Sequence, residues 1–146
     1  MRIIIWVVAL VAIAKFVLLP IHVEGISMLP TYRENRVNFV YRLAYVRSQP
    51  KRGDVVAIRL AGPSIMFMKR IVGLPGETVA FHEGQLLING RVIDEPYVKY
   101  SCNWEHEPEM IGPDYYFVVG DNRSMPFSEH TKGQAQFNRI MGKVLL

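Results

Sequence analysis

Cysteine is nearly absent from this chain of 146 residues, which has Cys102 and no other. That excludes a disulfide framework and any structural zinc site built on several cysteines. Acidic residues are missing from the first 21 positions, where Arg2 and Lys15 are the charged residues. The chain has 17 basic and 13 acidic residues, so a net charge of only +2 is left beyond position 21. A near-neutral remainder carries no basic footprint, which argues against a nucleic-acid partner. Internal repeats and low-complexity stretches are also lacking. With 50% hydrophobic and 21% charged residues, a disordered or collagen-like chain is excluded as well.

What the chain does have is one long apolar run. From Ile3 to Ile21, 17 of 19 residues are apolar, Lys15 and Pro20 being the exceptions. As a helix, such a run reaches roughly 28 Å, about the thickness of a hydrocarbon core. Pro20 is placed to end it, and Lys15 is close enough to the end to snorkel. Arg2 and the amino terminus favour the cytoplasmic side. A cleavable secretory signal, cut after Ala12-Ile13-Ala14, is the competing reading, but Phe16-Val17-Leu18-Leu19 resumes the apolar run where polar sequence is expected. The expectation is a retained transmembrane anchor over 1–21 and an exported domain over 22–146.

Beyond Pro20, short β-branched and aromatic segments alternate with turn residues. Val37–Tyr41, residues 54–60, residues 65–72 and Tyr115–Val119 read as strands, with residues 140–146 closing the chain. Gln85–Ile88 and residues 91–93 flank Asn89-Gly90, the pair favoured in two-residue hairpin turns because both positions take positive φ. No sustained helical period appears, so the domain is expected to be mostly β. Residues 97–114 read as a long loop.

Two places carry candidate chemistry. In Gly25-Ile26-Ser27-Met28-Leu29-Pro30-Thr31, a glycine two positions before a serine allows close backbone approach. A serine beside glycine and proline is nonetheless an ordinary turn residue. In Phe67-Met68-Lys69-Arg70-Ile71-Val72, strand alternation puts Lys69 on one face with Phe67 and Ile71. Burial between them disfavours the ammonium, and a neutral amine is a competent base for a serine hydroxyl. Alternatively, the stem packs on the sheet while the ammonium reaches water. The four histidines stand in contexts that suggest no triad, and a Ser-Lys pair is an attested alternative.

In order along nearly the whole chain, these boxes resemble the type I signal peptidases, membrane-anchored serine proteases of the Ser/Lys class. The resemblance rests on Gly25–Thr31, on Arg52-Gly53-Asp54-Val55-Val56, and on Met68-Lys69-Arg70-Ile71-Val72-Gly73-Leu74-Pro75-Gly76-Glu77. Ile88-Asn89-Gly90, Glu95-Pro96-Tyr97 and Gly120-Asp121-Asn122-Arg123 follow at fitting places. It implies Ser27 as nucleophile, Lys69 as general base and a single compact β-rich catalytic domain without the large cap domain. It also implies an oxyanion site on backbone near Ser27 and Gly25, where many relatives carry a serine. The implied partners are precursor proteins bearing signal peptides and the membrane lipid, with no metal or cofactor. The implied place is the outer face of the cytoplasmic membrane; the oligomeric state is left open.

The final box departs from the family pattern Gly-Asp-Asn-Arg-x-x-Ser-x-Asp-Ser-Arg. Here Ser124-Met125-Pro126-Phe127-Ser128-Glu129-His130 follows Arg123, so Pro126 stands where the lysine-orienting serine belongs. Ser124, Ser128 or a water is the expected substitute. Arg70 is expected to pair with Asp121 or Glu129. Met28, Leu29 and Phe67 are expected to form an apolar rim against lipid. Cys102 and His106 lack a complete metal shell, and Arg52-Gly53-Asp54 reads as a turn entering a strand. Two rivals stand beside the general peptidase: a specialised enzyme for a pilin or conjugation protein, and a silent, membrane-tethered binding module.

Overall fold

The structure is a computed structural model that describes residues 4–6, 14–61, 65–100, 102–130 and 132–145. Within them, alternating apolar residues produce eleven strands and two short 3-10 turns, Phe127–Glu129 and Phe137–Arg139. A seven-stranded antiparallel sheet has the order β1-β2-β11-β3-β4-β9-β10, and a four-stranded one has the order β7-β6-β5-β8. The large sheet contains β1 (Leu18–His22), β2 (Val37–Tyr41), β3 (Val55–Ala61), β4 (Ile65–Gly73), β9 (Tyr115–Val119), β10 (Gly133–Gln136) and β11 (Ile140–Leu145). The small sheet contains β5 (Thr78–His82), β6 (Gln85–Ile88), β7 (Arg91–Val92) and β8 (His106–Met110). The expected mostly β domain is what is found.

At β3 both faces of the large sheet are covered, which is why residues 55–58 read as an unbroken apolar run. Its Val55 and Ala57 enter a core with Met28, Tyr32, Val40 and Val144. Val56 and Ile58 enter the opposite one with Ile71, Tyr116, Val118 and Ala135. The small sheet closes a third core, where Phe81, Leu86 and Trp104 meet Val72, Phe117 and Val119. The hairpin turn is as expected, with φ of 50° at Asn89 and 75° at Gly90.

Two expectations need correction, the helical reach of the apolar run to Pro20 and the loop over 97–114. Leu18–His22 is a strand paired with β2, so the apolar run is not helical to Pro20. Pro20 lies opposite Phe39 in an edge strand, where a missing N–H is tolerated. Among the described residues no helix is long and apolar enough to cross a membrane. Positions 4–6 and 14–17 are helical, while the rest of the expected anchor, 1–3 and 7–13, lies outside the described residues. Finally, the expected loop 97–114 contains β8, paired with β5.

Candidate active site

The site forms where β9 stops pairing with β4. Arg70 is opposite Val119, and after Val119 the chain turns away through Gly120-Asp121-Asn122-Arg123. On that side the N-terminal half of β4 is without a strand partner, while β3 pairs its other edge. The turn that follows β1 brings Ser27 to this gap.

Lys69 Nζ is 2.8 Å from Ser27 Oγ, across 42 positions of sequence. Lys69 is only 3% exposed and lies 5.9 Å from the Phe67 ring centroid. Burial disfavours its ammonium and, against the opposing field of Asp121, lowers its pKa to about 8. Ser27 itself is half-buried. Among the described residues, no acceptor takes the Ser27 backbone N–H, whereas the Gly25 N–H donates to Glu34 Oε1 at 3.1 Å.

A strap from the 120–123 turn fixes the strand and the turn that carry these groups. Asp121, fully buried, receives Arg70 Nε at 2.8 Å and Arg70 Nη2 at 2.6 Å. Thr31 Oγ1 donates to the same carboxylate at 2.6 Å. One carboxylate thereby ties the neighbour of Lys69 to the turn beyond Ser27. Arg70 also donates to the Gly53 carbonyl at 2.7 Å and sits 3.9 Å from the Tyr97 ring centroid. Asn122 clamps the other side: its backbone N–H reaches the Ser27 carbonyl at 3.0 Å and its amide reaches Ile26 O at 3.1 Å. Gly120 must be glycine for this approach, since a Cβ would collide with the Ser27 carbonyl and with His130 Cε1.

Not every expected residue joins the site. Ser124 Oγ donates to Asn122 Oδ1 at 2.6 Å, and Ser128 is exposed on the 3-10 turn. Neither hydroxyl bonds Lys69. Pro126 opens that turn, and Phe127 packs onto Phe81 and Trp104, which turns Ser128 outward. Met28 is 2% exposed and belongs to the core, so it cannot be an apolar rim. Leu29 and Phe67 are half-buried, whereas Ile26, 45% exposed, is the outward apolar residue of this turn. Thr31 and Asn122 stand in the sequence boxes with no role attached, and His130 is set aside there with the other histidines; all three lie at this site. Arg52-Gly53-Asp54 is wired inward, Arg52 to Glu77 at 2.6 Å and Asp54 to Lys143 at 2.7 Å. Cys102 is a free thiol, and no cluster able to hold a metal is found among the described residues.

Two cavities flank the pair. One of about 440 Å³ is lined by β1, Ser27, Ala57 and Met66–Met68. Another of about 330 Å³ is lined by Ile58, Phe67, Lys69, Val118, Ala135 and the segment after Lys132. Phe67 borders both.

The family model for signal peptidase, peptidase S26, matches residues 1–146. A signal peptidase I of Bacillus licheniformis is 37% identical over 96% of this chain and 81% of its own length. A signal peptidase I of Leptolyngbya laminosa is 33% identical over 96% of this chain and 73% of its own length. A crystal structure of a signal peptidase I from Enterococcus faecalis V583 superposes with a TM-score of 0.53 at 27% identity, over 67% of this chain and 98% of that one.

Proposed function

Since the chain belongs to the signal peptidase family, peptidase S26, we propose that it removes signal peptides from exported precursors with Ser27 as nucleophile and Lys69 as general base. The observation that carries this reading is the 2.8 Å contact between a buried lysine amine and a half-buried serine hydroxyl. With a pKa of about 8, an appreciable share of Lys69 is neutral near pH 7 and its lone pair can accept the Ser27 proton. As Oγ attacks the scissile carbonyl, the oxyanion is met by the Ser27 backbone N–H. Gly25 is a poorer donor, its N–H being held by Glu34. The lysine then returns its proton to the leaving amine, and a water activated by the same amine releases the acyl-enzyme. Nothing in this sequence of steps calls for a metal or cofactor.

The substrate adds as an extended strand along the open edge of β4, its side chains dipping into the two cavities on either side of Phe67. Small residues before the cut suit that arrangement, as the family resemblance implies. The apolar residues ahead of β1 act as the tether, with the β domain that follows on the extracytoplasmic side of the cytoplasmic membrane. Ser27 then works at the membrane surface, where precursor segments emerge.

Purified protein incubated with a signal-peptide-bearing precursor, with N-terminal sequencing of the product, tests the reading. Ser27→Ala and Lys69→Ala should each lower cleavage by about 10²–10⁴-fold or more. Equal cleavage by either variant overturns the pair. Failure of the wild type on a general precursor favours the specialised enzyme, and failure on every precursor favours the silent binding module.

A further inference from the structure

His130 is 5% exposed, and the proposed steps do not use it. Its Nε2 lies 2.6 Å from the Asn122 carbonyl oxygen. A carbonyl only accepts, so Nε2 carries the proton and Nδ1 of the neutral ring is a bare acceptor. Among the described residues, Nδ1 is the one buried side-chain nitrogen or oxygen without a hydrogen-bond partner. A buried acceptor left unpaired is costly, so a donor is to be expected there.

Three cations reach the ring with their fields: Lys69 from β4, Arg123 from the 120–123 turn, and Lys132 from the segment after His130. Burial, aided by these charges and opposed by the Asn122 contact, lowers the His130 pKa to about 4, which keeps it neutral at working pH. The three differ in what their N–H groups already do. Arg123 places three of its five guanidinium N–H groups on the Gly120 carbonyl and both Glu95 oxygens, which holds its fork to Glu95. Lys132, half-exposed, donates to the Phe127 carbonyl, lies 3.8 Å from the Phe127 ring centroid, and can turn its other N–H groups to water. Lys69 is buried and has Ser27 Oγ as its hydrogen-bond partner, which leaves N–H donors in the interior without a match. On one side is an amine with spare donors, and on the other an imidazole with a spare lone pair.

His130 also stands at the right place. Its Cε1 and the Ser27 carbonyl both crowd the position that a Cβ on Gly120 would take, and Trp104 holds the ring edge-on at a centroid distance of 4.6 Å. Resting on the Ser27–Lys69 reading above, we infer that His130 is a positioning residue for Lys69: its Nδ1 accepts a hydrogen bond from a water that in turn accepts one from the Lys69 amine. The water serves because the two nitrogens are not in direct hydrogen-bond contact. An imidazole lone pair thereby does what a serine hydroxyl does in relatives, from a residue four positions after the Pro126 that stands in the serine's slot. The amine stays aimed with its own lone pair toward Ser27 Oγ.

Three substitutions separate this role from simple packing. In His130→Gln, the amide can take the Nε2 position and keep the bond to Asn122, but nothing replaces Nδ1. In His130→Asn, an oxygen can take the Nδ1 position, but the bond to Asn122 is lost. His130→Phe keeps the ring and loses both. The expectation is that His130→Gln lowers kcat about tenfold with little change in KM, one hydrogen bond's worth of positioning. An acceptor near the ammonium favours the charged form, so its loss moves the acid limb of the pH–rate profile to lower pH. His130→Asn keeps the acid limb of the wild type even if it is less stable. His130→Gln at wild-type kcat with an unmoved acid limb overturns the inference and leaves His130 as a prop for Asn122.

A second readout is independent of cleavage. The nitrogen resonance of His130 Nδ1, observed by NMR in otherwise intact protein, should move on Lys69→Met and stay in place on Lys132→Met. The opposite pattern overturns the inference. If wild type cleaves no precursor, the peptidase reading fails while this resonance still decides whether His130 and Lys69 are coupled.

Discussion

At the scale of single residues, the decisive feature is a lysine placed where its charge is unwelcome. Lys69 has a pKa of about 8 in the folded chain against an ordinary value of 10.5, because burial penalises the ammonium. The stability consequence has a definite sign. Below pH 8 the folded protein must hold the buried charge in full, and between 8 and 10.5 it sheds the proton before the unfolded chain does. Lys69→Met is therefore expected to raise the thermal midpoint at neutral pH, with the gain shrinking as pH rises through that window. A gain that is the same at both ends would mean the amine is not desolvated. Asp121 presents the opposite case, a buried carboxylate with good partners. Removing it in Asp121→Ala leaves the Arg70 guanidinium, 9% exposed, without its counter-charge. A loss of about 3–5 kcal/mol in urea unfolding is expected, and a loss under about 1 kcal/mol would mean that the pair is screened like a surface ion pair.

At the scale of elements, the strands that sequence reading found and those it missed differ for a physical reason. Val37–Tyr41 and Tyr115–Val119 were legible because β-branched and aromatic residues dominate them, and Gln85–Ile88 because Asn89-Gly90 follows it as a hairpin turn. Leu18–His22, His106–Met110 and Gly133–Gln136 were not, and all three are edge strands. An edge tolerates Pro20, the two glutamates of β8 and the glutamines of β10, because one side of the ladder needs no partner and half of the side chains face water. Thr78–His82 is different: Val79 and Phe81 alternate inward in plain view, but five residues with only two buried anchors give a faint signal.

The surface proposed to meet lipid is revised at this scale too. Met28 lies in the core, while Val37, Phe39 and Tyr41 point outward from β2 with exposures of 59%, 47% and 37%. Phe39→Ser and Val37→Ser should weaken sedimentation of the domain with vesicles and leave its unfolding nearly unchanged. Met28→Ala should do the reverse, costing about 2–5 kcal/mol of stability through the cavity it leaves. Weaker vesicle binding by a folded Met28→Ala protein would restore the original rim.

At the scale of the whole molecule, two sheets and one strap bring together residues that are distant in sequence. The Ser27–Lys69 pairing was legible from motif order, and the burial of Lys69 from its neighbours Phe67 and Ile71. The Arg70–Asp121 pair was narrowed to two carboxylates, because charge complementarity suggests a partner but cannot place a loop. Asn122 and His130 stand in the sequence boxes with no role attached, since a lone histidine or asparagine takes its meaning from the elements folded around it. The same holds for the missing serine at Pro126: its replacement lies inside the fold, beyond the two exposed or otherwise engaged serines nearby.

In the proposed mechanism a desolvated Lys69 takes the proton of Ser27. That step is tested most directly by the pH dependence of kcat/KM for precursor cleavage on either side of pH 8, the value to which burial lowers the amine. The expected result is that kcat/KM climbs with pH and levels off above about 8, and that this limb vanishes with the activity in Lys69→Ala. Cleavage that is flat through this range, or a limb that survives in Lys69→Ala, would contradict it.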